Sequence, residues 1–133
     1  MTRVMTSFGQ VYAQTLRERD RVRTRSGEFV AITKVDRMTL DSDYLHYHPE
    51  AQPILVRAGS LARGIPAVDI LLAPHQRFDT GQSFAANGMN KAVDALRRPH
   101  VCRKLESVIT YTSFQCETPA TVCCEGVWME TMT

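Results

Sequence analysis

Short β-rich runs alternate with turn-forming residues along this whole chain, and that spacing constrains the fold more than any other feature. Asp20 to Arg25 reads as a short strand, Ser26-Gly27 as a turn, and Glu28 to Val35 as the antiparallel return of a hairpin. Asp36 to Pro49 is polar and aromatic without a clear period and reads as a loop. Pro53 to Arg57 reads as a strand, Ala58 to Pro66 (with Gly59 and Gly64) as a turn, and the apolar run Ala67 to Ala73 as a central strand. Asp79 to Gly88 reads as a loop. Met89 to Arg98 carries the one helical pattern, with Met89, Ala92, Val93 and Leu96 on one face and Pro99 as the stop. Lys104 to Phe114 and Thr121 to Glu130 read as strands around Thr118-Pro119 and Glu125-Gly126. These signals predict an all-β fold of many short strands with at most one short helix, in one domain over residues 1–133.

Composition excludes several classes. A chain of 133 residues that is 44% hydrophobic and 23% charged can bury a core without disulfides or metals. No apolar run approaches the roughly 20 residues of a membrane helix. The opening M-T-R-V-M-T-S-F-G-Q lacks a signal-peptide core, so the chain is expected to be cytoplasmic on synthesis and not bound to a membrane.

A net charge of +2 is too balanced to argue for nucleic acid. Arg17, Arg19, Arg21, Arg23 and Arg25 alternate and would line one face of a strand. A phosphate-binding stripe is one reading. The preferred one is a charged edge strand that resists pairing, since Glu18 and Asp20 dilute the stripe and no aromatic residue interleaves it. The four cysteines, Cys102, Cys116, Cys123 and Cys124, form no C-x-x-C pair and read as reduced, partly buried thiols. His46 and His48 could share a strand face as metal ligands, but no third ligand accompanies them. Neither a metal nor a cofactor is expected.

The run from His48 to Phe78, H-P-E-A-Q-P-I-L-V-R-A-G-S-L-A-R-G-I-P-A-V-D-I-L-L-A-P-H-Q-R-F, resembles the central signature of a bacterial subfamily of Hint (Hedgehog/intein) domains. That signature has His-Pro, a Pro-led strand ending in Arg-Ala-Gly, a Gly-containing turn, Asp, an apolar strand and Ser-Pro-x-His-Arg. Here His48-Pro49, Pro53 to Gly59, Asp69 and Pro74 to Arg77 follow the same order. Thr2 to Gly27 resembles the family's opening, with Leu16, Asp20, Val22, Thr24 and Gly27 in place and Arg19 where the family prefers Gly. Thr110, Tyr111, Glu125, Gly126 and Glu130 match its closing segment. The resemblance implies a compact Hint-type β fold with Asp20, His48, Pro49, Gly59 and Asp69 as scaffold residues.

It also implies a self-processing chemistry. A first-residue Cys or Ser attacks the preceding carbonyl in an N-to-S or N-to-O acyl shift. A histidine of the Ser/Thr-x-x-His element protonates the leaving nitrogen, and a late His or Asp helps resolve the intermediate. Placed on this chain, the nucleophile falls before Met1, with Ser7 as the nearest hydroxyl with an apolar neighbour, itself near a turn. The histidine element reads Ala73-Pro74-His75-Gln76-Arg77, with Gln76 at the histidine position and His75 one residue early. On extended backbone that offset points His75 to the opposite face unless the chain kinks after Pro74. Pro119-Ala120 holds the place of the late His-Asp.

The reading that follows is a scaffold without its reaction. It would act as a structural or protein-binding module, with protein partners or copies of itself, in a larger assembly such as a phage or related particle. The alternative is an autoprocessing domain whose nucleophile comes from an upstream segment or from Ser7, with His75 as acid.

Overall fold

The computed structural model describes residues 3–6, 9–79 and 90–131. Twelve strands run through the described residues: β1 (Arg3–Thr6), β2 (Gly9–Tyr12), β3 (Arg21–Arg23), β4 (Phe29–Leu40), β5 (Ile54–Val56), β6 (Ile70–Leu72), β7 (Arg77–Asp79), β8 (Asn90–Lys91), β9 (Val101–Arg103), β10 (Ile109–Cys116), β11 (Thr121–Cys124) and β12 (Val127–Glu130). They form a larger sheet in the order β10-β4-β3-β1-β11-β12-β7-β8, with β2 paired to β1, and a three-stranded sheet in the order β6-β5-β9. The all-β reading holds.

Both sheets supply one hydrophobic cluster. Val4, Val22, Ile32, Phe114, Val122 and Val127 enter it from the larger sheet, and Ile54, Val56, Ile70, Leu72 and Val101 from the smaller. Period-2 alternation explains why: β3 is Arg-Val-Arg with only Val22 buried, and β12 buries Val127 and Met129. Each such side chain withdrawn from water contributes on the order of 1.5–3 kcal/mol.

Turns set the register. Glu125 and Gly126 both have positive φ (52° and 84°), so β11 and β12 join through a two-residue turn of the I′ kind, which matches strand twist. Arg19 has φ 76°. A left-handed residue is easiest for glycine, which accounts for the family's Gly at this position.

Several expectations are corrected. β4 continues past Val35 to Leu40, so residues 36–40 are strand and not loop. Neither face of this stretch is fully buried until Leu40, so no hydrophobic period marks it. It is held by the ladder with β10, in which the Thr39 and Thr110 hydroxyls meet at 2.9 Å, and by the Arg37 guanidinium on the carbonyls of Gln14 and Leu16 (2.7 and 2.9 Å).

The one α-helix among the described residues is α1 (Ser42–Tyr47), inside the expected loop. Asp41 caps it by accepting from Tyr44 N–H at 2.9 Å, and Asp43 lies in its first turn, signals present in the sequence. The expected helix at 89–98 is instead β8 followed by a 3₁₀ helix, Ala92–Arg97, with Met89 outside the described residues. The run Ala67 to Ala73 shrinks to the three residues of β6, an edge of the small sheet rather than a central strand. It is apolar because Ile70 and Leu72 face the core. The strand expected from Lys104 begins only at Ile109, and β9 precedes it. The loop expected after Asp79 lies, from residue 80 on, outside the described residues.

Polar cross-links join the ends of these elements. Buried Gln52 donates to the Glu106 carbonyl (3.0 Å) and accepts from Glu106 N–H (2.9 Å). The Tyr111 hydroxyl donates to the Ala51 carbonyl at 2.8 Å. Burial pushes the Tyr111 phenol from 10.0 up to about 12 and, with help from Glu117, the Cys116 thiol from 9.0 up to about 11. The native state keeps these protons where the unfolded chain releases them, so stability falls as pH rises. We expect a urea midpoint that declines between about pH 9 and about pH 12, where these groups titrate. Tyr111→Phe should cost about 1 kcal/mol at pH 7 through the lost hydrogen bond. It should also flatten the alkaline decline, which paired unfolding curves at pH 7 and pH 11 would register.

Candidate functional site

The segment marked as the family's histidine element forms a tight turn. Gln76 N–H donates to the Ala73 carbonyl at 3.0 Å, with buried Pro74 at the position where a fixed φ suits a turn. The chain therefore does bend after Pro74. The bend leaves His75 exposed, lining a cleft of about 400 Å³ with Arg77, Asn90, Lys91, Val93 and Asp94. The 3₁₀ helix Ala92–Arg97 docks on this turn: Ala92 N–H donates to the Gln76 carbonyl and Val93 N–H to the Pro74 carbonyl, both at 2.9 Å.

Gln76 is engaged elsewhere. Its side-chain Nε2 donates to the Arg77 carbonyl at 2.9 Å and to the Glu130 carbonyl at 3.0 Å. A carboxamide nitrogen has two protons to donate, and here both are used on backbone carbonyls. The amide ties the turn to the last residue of β12, and Arg77 Nε lies 3.5 Å from Glu130 Oε2 beside it.

One residue further on, Thr131 closes the site. Its N–H and its hydroxyl both donate to the Ala120 carbonyl (2.9 and 3.1 Å), and the hydroxyl accepts from Ala120 N–H (3.1 Å). The fold thus joins two segments about 45 residues apart in sequence, 73–77 and 119–120, through the end of β12. Exposed Pro119 sits beside that junction. Thr131 has no motif to betray it; only the register of β11 on β12 puts it there. Ser7 lies outside the described residues.

A second polar contact, also unmarked in the sequence, braces β7 from the far side of β11. Arg25 Nη1 meets Asp79 Oδ2 at 2.6 Å, with the Asp79 side chain only 3% exposed. The same guanidinium lies 5.5 Å from the centre of the Trp128 ring, and Trp128 is the cross-strand partner of Asp79. Arg25 therefore belongs to no stripe. Arg17 and Arg19 sit in the turn closed by Arg17 N–H on Asp20 Oδ2 (2.9 Å). Only Arg21 and Arg23 share a strand face, and β3 is paired on both sides, so the edge-strand reading is corrected.

The scaffold residues act on the backbone. The Asp20 carbonyl accepts from Ile32 N–H (2.8 Å), Asp69 Oδ1 accepts from Ala58 N–H (2.7 Å), and Gly59 takes φ 73°. His48 ends α1 and Pro49 starts the next 3₁₀ turn. His46 and His48 lie on and just after a helix rather than on a strand, and His48 Nδ1 sits 3.2 Å from Glu50 Oε1. Among the described residues no three His, Cys, Asp or Glu side chains gather as metal ligands, and no helix is long and apolar enough to cross a membrane. None of the four cysteines is disulfide-bonded, and burial raises the Cys124 thiol far above its ordinary range.

The all-β fold, with its larger sheet and a second three-stranded sheet, is that of the Hint domains it resembles. The chain belongs to that family: the Hint domain model, Hint_2, matches residues 1–133. No curated protein matches it in sequence. Among solved structures it is similar to the MchDnaB-1 intein (TM-score 0.61, 9% identity, 98% of this chain and 96% of that one). The N145AA form of that intein gives a TM-score of 0.64 at 10% identity over the same shares. The Msm DnaB1 intein splicing domain, solved with zinc bound, gives 0.60 at 10% identity over 99% and 96%.

The geometry makes Gln76 a brace. Gln76→Leu keeps the bulk and removes both donations to the two carbonyls, and should cost about 1–3 kcal/mol. Gln76→Glu should cost more at neutral pH, because a carboxylate would face those two carbonyl oxygens. That environment favours the protonated acid and raises its folded pKa, so the penalty should shrink as pH falls through it. Urea midpoints with unchanged slope would report both effects.

Proposed function

We propose that this domain is a Hint scaffold that serves as a structural or protein-binding module and does not process itself. The observation that carries the reading is Gln76. It occupies the family's proton-donor position, has no proton to transfer, and spends both side-chain donors on the carbonyls of Arg77 and Glu130. Two further features support it. Ala120, at the place of the late His-Asp, brings only its backbone to the junction, and His75 is exposed on the cleft and is no partner of the Gln76 amide. Such a domain acts through its surface, as a component of a larger assembly such as a phage or related particle. Capsid and tail genes beside its own are the genomic setting that fits.

A mass measurement tests the reading. A test peptide ending in Cys is fused ahead of Met1, the fusion is incubated with a thiol or hydroxylamine, and its intact mass is followed. An unchanged mass is expected. Release of the peptide at the bond before that Cys would overturn the proposal, and its loss on His75→Ala would assign the proton to His75 instead.

A further inference from the structure

Among the described residues, β10 forms a long open edge of the larger sheet. β10 ends the strand path and, among the described residues, pairs only with β4. Its sequence, I-T-Y-T-S-F-Q-C, holds no charge, no proline and no glycine over eight residues. A row of free backbone N–H and C=O groups recruits other strands, so edges are usually short, charged or interrupted. The other edges among the described residues obey that rule. β8 spans two residues and contains Lys91, β2 spans four, and β6 and β9 span three, with Arg103 in β9. β10 alone is both long and uncharged.

Apolar side chains flank it. Leu105 and Val108, in the segment leading into β10, are 79% and 54% exposed. Met38, 56% exposed, stands opposite Tyr111 in the β4–β10 ladder.

We infer that β10 is a self-association edge, which pairs antiparallel with β10 of a second copy of this chain and joins two sheets into one. In a two-fold pairing residue i meets j and j meets i, so a charge within the strand would tend to meet its own kind. β10 has none to oppose. The flanks complement each other. Arg103, Lys104 and Glu106 leave one net positive charge before β10, with Lys104 bound to Glu106 at 2.9 Å, and Glu117 follows β10 with a negative one. Antiparallel pairing brings the first flank of one copy to the second flank of the other. The copy would also cover Val108 and Met38. The inference is independent of whether the domain processes itself.

Sedimentation equilibrium from about 10 μM to about 1 mM, the range of weak association, provides the test. The mass should rise from 15.0 kDa toward twice that value. Thr110→Lys with Ser113→Lys places like charges along the paired edge and should weaken association at least about tenfold, with the circular dichroism unchanged. Hydrogen exchange of the unaltered chain gives a second readout that no failure of the variant to fold can affect. β10 amides should become more protected as concentration rises. A monomer mass at about 1 mM would overturn the inference, whether or not the edge accepts a foreign strand. So would a doubled mass with β10 exchange indifferent to concentration, since another face would then hold the copies together.

Discussion

The bond between the Gln76 side-chain amide and the Glu130 carbonyl holds together parts of the chain that nothing local would join. β7 and β12 share only the pairs Trp128–Asp79 and Met129–Phe78, too short a ladder to fix the turn ahead of β7. The amide adds a contact beyond that ladder, at the point where β12 ends. Thr131 then ties the same strand end to Ala120, and the 3₁₀ helix Ala92–Arg97 presses on the other side of the turn. On the other side of β11, Arg25 on buried Asp79 holds β7 from the β3–β4 hairpin. The Gln76–Glu130 and Arg25–Asp79 contacts each bridge 54 residues of sequence, and each places a polar group where an unmet carbonyl or carboxylate would be costly.

What was legible in the sequence was local. Ser26-Gly27 and Glu125-Gly126 announced hairpins because turn geometry demands particular residues at particular offsets. The resemblance carried the rest of the fold, including Asp20, Gly59 and Asp69, whose work is to meet or bend the backbone. Residues 36–40 were illegible because a ribbon without a fully buried face shows no period, and its stability comes from β10, some 70 residues away. α1 was legible in principle through Asp41 and Asp43, but its aromatic composition obscured it. Thr131 and the Arg25–Asp79 pair depend on register alone, and register is a property of the assembled sheet.

On the proposed reading, position 76 keeps its place in the family's element while its work becomes structural. Gln76 is as long as the geometry needs and polar at its end, so it spans from the turn to β12 as a hydrogen-bond donor. It does so without a titratable proton. His75, one residue earlier, is carried by the Pro74 turn to the solvent side.

Proton exchange at the Gln76 side-chain amide tests this account most directly. If both amide protons are held by the carbonyls of Arg77 and Glu130, they should exchange at least about tenfold more slowly than those of a free glutamine side chain. Exchange at the free rate would show that Gln76 braces nothing, and would contradict the reading of this position as structural.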